Sequence, residues 1–157
     1  AVLYGCGLRM SELLELKLHA IDPDQRLIHV YAGKGRKDRN VLLPMQVLGM
    51  LTRYLKEYRP KKYVFEGPGG SRYSPASVNS IIKRAASEAG VKISVSAHVL
   101  RHSFATHLLD QGVNLRIIQE LLGHSSSRTT EIYTHVNTKS LNSIISPIDT
   151  LFKADEW

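Results

Sequence analysis

Cysteine and acidic residues are scarce in this sequence of 157 residues. The single cysteine, Cys6, excludes an internal disulfide and a zinc site built from paired cysteines. The 14 Asp and Glu residues form no cluster suited to Mg²⁺, so we expect no metal. No apolar run approaches the roughly 20 residues that span a bilayer, and no segment resembles a signal peptide. These absences predict a cytoplasmic protein with no membrane partner.

Positive charge, in contrast, is abundant. The 21 Lys and Arg residues give a net charge of +7 and a pI near 9.6. This balance favours a polyanionic partner, most commonly DNA or RNA, although charge that only aids solubility is the alternative. The length favours one domain. The opening residues 1–16 lack an initiator Met and resemble the middle of a helical hairpin, so we expect missing sequence on the N-terminal side.

Hydrophobic periodicity predicts mostly helices, with a small antiparallel sheet near the N-terminus, which is an α+β fold. A hairpin with a basic loop is predicted over 26–44, and an extended segment over 62–67. Ser11 is the expected cap of the first marked helix, 11–18. Further helices are predicted over 45–58, 74–90, 97–112, 114–123, 127–136 and 138–145. In helix 74–90 the expected buried stripe consists of Val78, Ile81, Ile82, Ala85 and Ala89.

The stretch AHVLRHSFATHLL, residues 97–109, combines apolar residues at helical spacing with histidines and an arginine. A charged Arg101 near apolar surface needs a partner, because desolvating an unpaired charge costs several kcal/mol. That partner is either an acid elsewhere in the chain or an anion from outside. His98 and Arg101 are three residues apart, so both lie on one helix face, where a phosphate could bind.

Two further basic segments are candidate anion sites. The loop GKGRKDR, residues 33–39, is either a solvated hairpin tip or a finger on nucleic-acid phosphates with one lysine in the reaction centre. Arg9 lies at a helix start, which anions prefer, although a surface or salt-bridged arginine is the alternative. Farther along, LLGHSSSRTTEIYTHV places His124 nine residues before Tyr133. Tyrosine has a pKa of about 10 and becomes a good nucleophile only when basic groups stabilise its anion.

Taken in order, GLRMSEL, GKGRKDR, HVLRHSFATHLL and LLGHSSSRTTEIYTHV resemble the catalytic domain of tyrosine recombinases, the phage integrase family, and most of all its Xer and integron-integrase group. The resemblance extends from about residue 3 to 145. It implies two arginines that clamp the scissile phosphate, a lysine that protonates the leaving 5′ oxygen, a histidine general acid/base, a histidine that contacts the phosphate, and a nucleophilic tyrosine. In that order, these catalytic residues are Arg9 and Arg101, Lys34, His98, His124 and Tyr133.

Other residues receive supporting roles. Contacts to DNA are expected from Arg36, Lys37, Arg39 and Arg128, and Glu12 is a candidate to orient a basic site residue. Lys37 could compete with Lys34 for the catalytic position, but the family pattern favours Lys34.

The resemblance implies site-specific recombination of double-stranded DNA through a 3′-phosphotyrosine, without a metal, a cofactor or a small-molecule substrate. The full-length protein is expected to act as a homotetramer on paired DNA sites at the bacterial nucleoid. Residues 1–157 would be a single catalytic domain, monomeric by itself, without the upstream core-binding domain and the first catalytic helix. The tail 137–157 is expected to dock on a neighbouring protomer or, alternatively, to fold back on its own domain.

Two other functions remain open from the sequence. A non-catalytic DNA-binding module would bind DNA through the basic face and would not require Tyr133. A type IB topoisomerase would relax DNA through a similar tyrosine ester.

Overall fold

The computed structural model describes residues 1–31, 38–123 and 144–152. In chain order its elements are helices α1 (Val2–Gly5) and α2 (Met10–Glu15), strands β1 (Ile21–Asp22), β2 (Leu27–Val30) and β3 (Arg39–Leu42), and helices α3 (Met45–Tyr58), α4 (Pro75–Glu88), α5 (Ala97–Asp110), α6 (Leu115–Leu122) and α7 (Pro147–Leu151). The predicted α+β class, mostly helical with a small sheet, is confirmed. The helix predicted over 127–136, and most of the one over 138–145, lie outside the described residues. Within the described ranges, no helix is long and apolar enough to cross a membrane.

The three strands form an antiparallel sheet in the order β1-β2-β3. Leu27 pairs with Leu42, and Val30 pairs with Arg39, so β2 and β3 form the predicted hairpin. Its tip, residues 32–37, lies outside the described residues. This register places Arg39 at the first residue of β3, in the β2–β3 residue pair that is nearest the hairpin loop.

The sheet separates two parts of the core. Leu27 and Leu42 pack with α5 and α6 around the buried Phe104. Ile28 and Val41 belong to the other cluster, which α1, α2 and α3 complete. Neighbouring strand residues point to opposite faces, so the apolar run of β2 can serve both clusters.

Helix α2 differs from the prediction at both ends. Its N-cap is Arg9 rather than Ser11, and the backbone N–H of Arg9 donates to Glu12 Oε2 at 2.7 Å. A glutamate three residues after the cap satisfies a free donor at the helix start. The helix ends at Glu15 because the chain becomes extended at Leu16, whose carbonyl accepts the N–H of Val64 at 2.8 Å. The extended segment predicted over 62–67 is wrong as a strand: Tyr63 and Glu66 form single β-bridges, to Lys17 and Arg72, and the chain bends between them.

Helix α4 has the predicted cap but not the predicted buried stripe. Ser74 Oγ accepts the N–H of Ser77 at 3.0 Å, as expected of an N-cap. Val78 is buried and Ile82 is partly buried, whereas three other members of the stripe are exposed: Ile81, Ala85 and Ala89. The stripe was wrong because α4 packs on α2, and Ile81 and Ile82 border an apolar groove of about 430 Å³ instead of a filled core.

The described part of the C-terminal tail packs on its own domain. Ile148 of α7 is buried in the core cluster that includes α1. Ser146 Oγ donates to the carbonyl of Gly5 at 2.8 Å. Residues 144–152 thus contact their own domain in this structure. Docking on a neighbouring protomer stays a prediction for 137–143 and 153–157, which lie outside the described residues.

Candidate functional site

Arg101 lies in the first half of α5 and is only 7% exposed. Its Nη1 donates to the carbonyl of Gly7 at 2.6 Å, and its Nη2 donates to the carbonyl of Leu122. Glu12 Oε2 is 3.9 Å from Nη1. Burial and the nearby positive charge of Arg9 lower the pKa of Arg101 to about 10, while Glu12 opposes the change. The guanidinium therefore stays charged at neutral pH, and main-chain carbonyls are its principal partners.

Glu12 connects two other arginines. Its Oε1 accepts from Arg9 Nη1 at 2.9 Å and from Arg39 Nη1 at 2.7 Å. Its Oε2 accepts from Arg39 Nη2 at 2.9 Å, in addition to the Arg9 backbone N–H. Burial by itself would raise the pKa of the Glu12 carboxyl, but hydrogen bonds from Arg39 and Arg9 outweigh burial and lower the pKa to about 2. Glu12 thus contacts two basic residues, and its role in orienting a basic site residue stays a prediction.

At the C-terminal end of α6, three consecutive carbonyls each accept a hydrogen bond from a different arginine. Arg39 Nε donates to Leu121 at 2.8 Å, Arg101 Nη2 donates to Leu122, and Arg9 Nη2 donates to Gly123 at 3.0 Å. The last carbonyls of a helix lack partners within the helix and carry partial negative charge, so they attract cations. We call Arg9, Arg39 and Arg101, together with Glu12, the arginine cluster.

The arginine cluster carries more positive than negative charge. Three guanidiniums surround one carboxylate, which leaves a formal excess of two positive charges. The Arg9 side chain is 25% exposed, compared with 10% for Arg39 and 8% for Arg101, so Arg9 is the most accessible of the three to solvent. Guanidiniums bind phosphate oxygens through paired N–H donors, and a net cationic site attracts such anions.

His98 lies in the first turn of α5, which Ser96 caps through a 3.3 Å hydrogen bond to the N–H of Val99. The His98 side chain is exposed, and its spacing from Arg101 places both residues on the same side of the helix. An exposed imidazole on that side is available to exchange a proton with a ligand.

The structure thus brings together Arg9 and Arg101, two of the six predicted catalytic residues. Arg39 is paired with Glu12 and Leu121 inside the arginine cluster, and its predicted contact to DNA stays a prediction. The sequence analysis missed this pairing, although a glutamate three residues after Arg9 indicated an acid at the site. The remaining predicted residues lie outside the described residues: Lys34, Arg36, Lys37, His124, Arg128 and Tyr133.

Comparison with known proteins identifies the same family along the chain. Residues 1–140 match the phage integrase family. Tyrosine recombinase XerA of Pyrococcus furiosus is 42% identical over 154 residues, which cover 96% of this chain and 53% of the relative. The chain therefore spans about half the length of this curated relative.

Solved structures agree with the sequence match. A crystal structure of XerA recombinase superposes with a TM-score of 0.75 at 35% identity, covering 96% of this chain and 55% of that one. A crystal structure of XerH site-specific recombinase, bound to its difH substrate in a pre-cleavage complex, has a TM-score of 0.70 at 32% identity and covers 90% of this chain and 42% of that one. On the family match, the sequence identity and the shared fold, this chain belongs to the phage integrase family.

Proposed function

We propose that this chain is the catalytic domain of a site-specific recombinase, which cleaves and rejoins DNA strands through a 3′-phosphotyrosine on Tyr133. The observation that carries the proposal is the joint placement of Arg9 and Arg101 at the end of α6, with an excess of positive charge. The relative XerH, described as bound to its DNA substrate before cleavage, supports DNA as the partner.

Arg9 and Arg101 bind the scissile phosphate in this proposal. Each guanidinium already has fixed partners: Gly7 and Leu122 for Arg101, and Glu12 and Gly123 for Arg9. Charge that develops on a pentacoordinate phosphorus then meets donors that need little reorganisation, and such preorganised stabilisation is usually the largest single contribution to catalysis. Three guanidiniums around one carboxylate supply the positive charge that a metal ion supplies in other phosphoryl-transfer sites, so we propose a metal-independent reaction.

The bond changes balance without a cofactor. Tyr133 Oη attacks the phosphorus and gives up its proton to a base, for which His98 is the candidate. The bond from phosphorus to the 5′ oxygen breaks, and Lys34 protonates that oxygen. His124 donates a hydrogen bond to the phosphate. Attack by the 5′ hydroxyl of a second strand reverses these steps, and the ester conserves the bond energy. We further propose that four copies act on two DNA sites at the nucleoid.

The test is a covalent trap. Nicked suicide duplexes with randomised sequence are incubated with the chain in EDTA at micromolar concentrations, since non-specific binding has a Kd of about 10⁻⁴–10⁻⁶ M at physiological salt. A denaturing gel then separates covalent adducts. The wild type is compared with Tyr133→Phe, and Tyr58→Phe is the matched control because Tyr58 is 63% exposed at the end of α3.

An adduct that survives denaturant and EDTA, persists in Tyr58→Phe and is lost in Tyr133→Phe supports the proposal. Equal behaviour of the wild type and Tyr133→Phe refutes it and favours a non-catalytic DNA-binding module. Relaxation of supercoiled plasmid by a monomer, with no joining of two duplexes, would favour the topoisomerase alternative.

A further inference from the structure

We propose that Arg39 is a positioning residue for DNA cleavage: it contacts no DNA, but locks the β2–β3 hairpin onto Glu12 and the end of α6, and so sets where Arg9 and Arg101 present their guanidiniums. This inference rests on the proposed function. It replaces the expectation that Arg39 contacts DNA with a role inside the protein.

The contacts of Arg39 connect separate parts of the protein. Nη1 and Nη2 donate to the two carboxylate oxygens of Glu12 at 2.7 and 2.9 Å, and Nε donates to the carbonyl of Leu121 at 2.8 Å. Three of the five N–H donors of this guanidinium are therefore committed, and its side chain is 10% exposed. A bidentate arginine–carboxylate pair fixes orientation as well as distance.

These contacts join three distant parts of the chain. Arg39 begins β3, directly after the hairpin loop that contains Lys34. Glu12 belongs to α2 and also holds Arg9, while Leu121 belongs to the last turn of α6. One side chain thus ties the base of the loop to the carboxylate that orients Arg9 and to the helix end that receives Arg101.

Removal of the Arg39 guanidinium should displace Arg101. Glu12 would lose two hydrogen bonds, and a buried carboxylate with fewer partners favours the approach of another cation. Arg101 Nη1 is 3.9 Å from Glu12 Oε2, close enough to be drawn into that role. Arg101 would then leave the position set by Gly7 and Leu122, and the phosphate-binding geometry would change.

Gly123 offers a second way to displace Arg39 without changing its charge. A Cβ at position 123 would lie 3.0 Å from Arg39 Cδ, 3.1 Å from Nε and 3.2 Å from Cζ. Gly123 also has a φ of +63°, a left-handed conformation that favours glycine. Gly123→Ala should therefore shift the Arg39 side chain by a few tenths of an ångström relative to Leu121 and Glu12.

The experiment compares Arg39→Gln, Arg39→Lys and Gly123→Ala with the wild type. Arg84→Gln is the charge-matched control. The Arg84 side chain is 73% exposed, and its ion pair with Glu88 on α4 is long, with 3.9 Å between Arg84 Nε and Glu88 Oε1. The DNA is the duplex that the wild type labels best in the covalent trap. Three quantities are measured: the single-turnover rate of adduct formation at saturating DNA, the salt dependence of DNA affinity, and the pKa of Glu12 by carbon NMR.

We expect Arg39→Gln to lower the single-turnover rate about 10- to 100-fold, the range for a misplaced catalytic geometry. The Glu12 pKa should rise, the salt slope should stay unchanged, and Arg84→Gln should keep the wild-type rate. Arg39→Lys should not restore the rate, because a point charge cannot reproduce the bidentate pair and the Leu121 contact. Gly123→Ala should lower the rate although Arg39 is intact.

A loss of salt slope of about one, with an unchanged rate at saturating DNA, would show that Arg39 contacts a phosphate and would overturn the proposal. If Arg39→Gln does not fold, the test uses the single-turnover rates of Arg39→Lys and Gly123→Ala. Wild-type rates in both variants would overturn the positioning role of Arg39. The two proposals fail differently. Absence of an adduct in the wild type refutes the proposed function and the positioning role with it, whereas an adduct that forms equally fast in folded Arg39→Gln refutes only the positioning role.

Discussion

Glu12→Gln should remove an acid-sensitive part of the folding free energy. The folded-state pKa of Glu12 is about 2, against a usual value of 4.5, and the side chain is 11% exposed. Each pKa unit corresponds to about 1.4 kcal/mol, so ionised Glu12 contributes about 3 kcal/mol to the free energy of unfolding. Because the folded pKa is depressed, this contribution is present above pH 4.5 and is lost as the pH falls toward 2.

The assay is urea unfolding of the wild type and of Glu12→Gln between pH 7 and pH 2.5, followed by circular dichroism. At neutral pH the variant should be less stable by about 3–5 kcal/mol, since it leaves three buried or half-buried guanidiniums without their carboxylate. The difference should shrink by about 3 kcal/mol as the pH is lowered. Glu88→Gln is the control, because Glu88 is 72% exposed. Parallel pH profiles for the wild type and Glu12→Gln would refute the assignment of Glu12 as the carboxylate that holds the cluster.

Three further outcomes follow from the structure. Gly7→Ala should destabilise the fold by about 1–3 kcal/mol through overpacking, because the new Cβ would lie 2.5 Å from Phe104. The φ of +62° at this position adds about 1 kcal/mol of backbone strain. A loss of unfolding free energy below 1 kcal/mol, measured by urea unfolding, would contradict this prediction. Burial raises the pKa of the Cys6 thiol to about 12, so iodoacetamide at pH 8 should label Cys6 in urea but not in the native state, and equal labelling would be inconsistent with the fold. DNA affinity should fall steeply between 50 and 200 mM salt, as fluorescence anisotropy would show, and a flat response would exclude phosphate-driven binding.

Local features of the fold were predictable because their causes are local. Helix α6 begins after Asn114, whose side chain accepts an N–H at 2.8 Å, and it ends at the left-handed Gly123, as the cap and stop residues indicated. Helix α5 and the β2–β3 hairpin likewise follow from hydrophobic period and turn residues. In the candidate site, Arg9 and Arg101 were identified by motif, and the structure brings them together.

The long-range pairings were not predictable from the sequence. Every residue carries a carbonyl, so nothing in the sequence marks those of Gly7 and Leu122 as the partners of Arg101. Arg39 appeared in a basic loop, where solvent or DNA was the natural partner, and its pairing with Glu12 depends on how the hairpin packs against α2. The exposed Ile81 shows the same limit, because periodicity marks an apolar helix face but not what covers it.

The three carbonyls at the end of α6 have a consequence for how the site tolerates mutation. Substitutions at Leu121 and Leu122 leave the main-chain oxygens in place, so they affect the site only through the packing of these two buried side chains. Changes in chain length are different. Deleting one residue within α6 would rotate its last turn by about 100° and move all three oxygens away from their arginines at once. Screens of variants should therefore find that apolar substitutions of similar size at Leu121 and Leu122 keep the site, whereas insertion or deletion within α6 abolishes it.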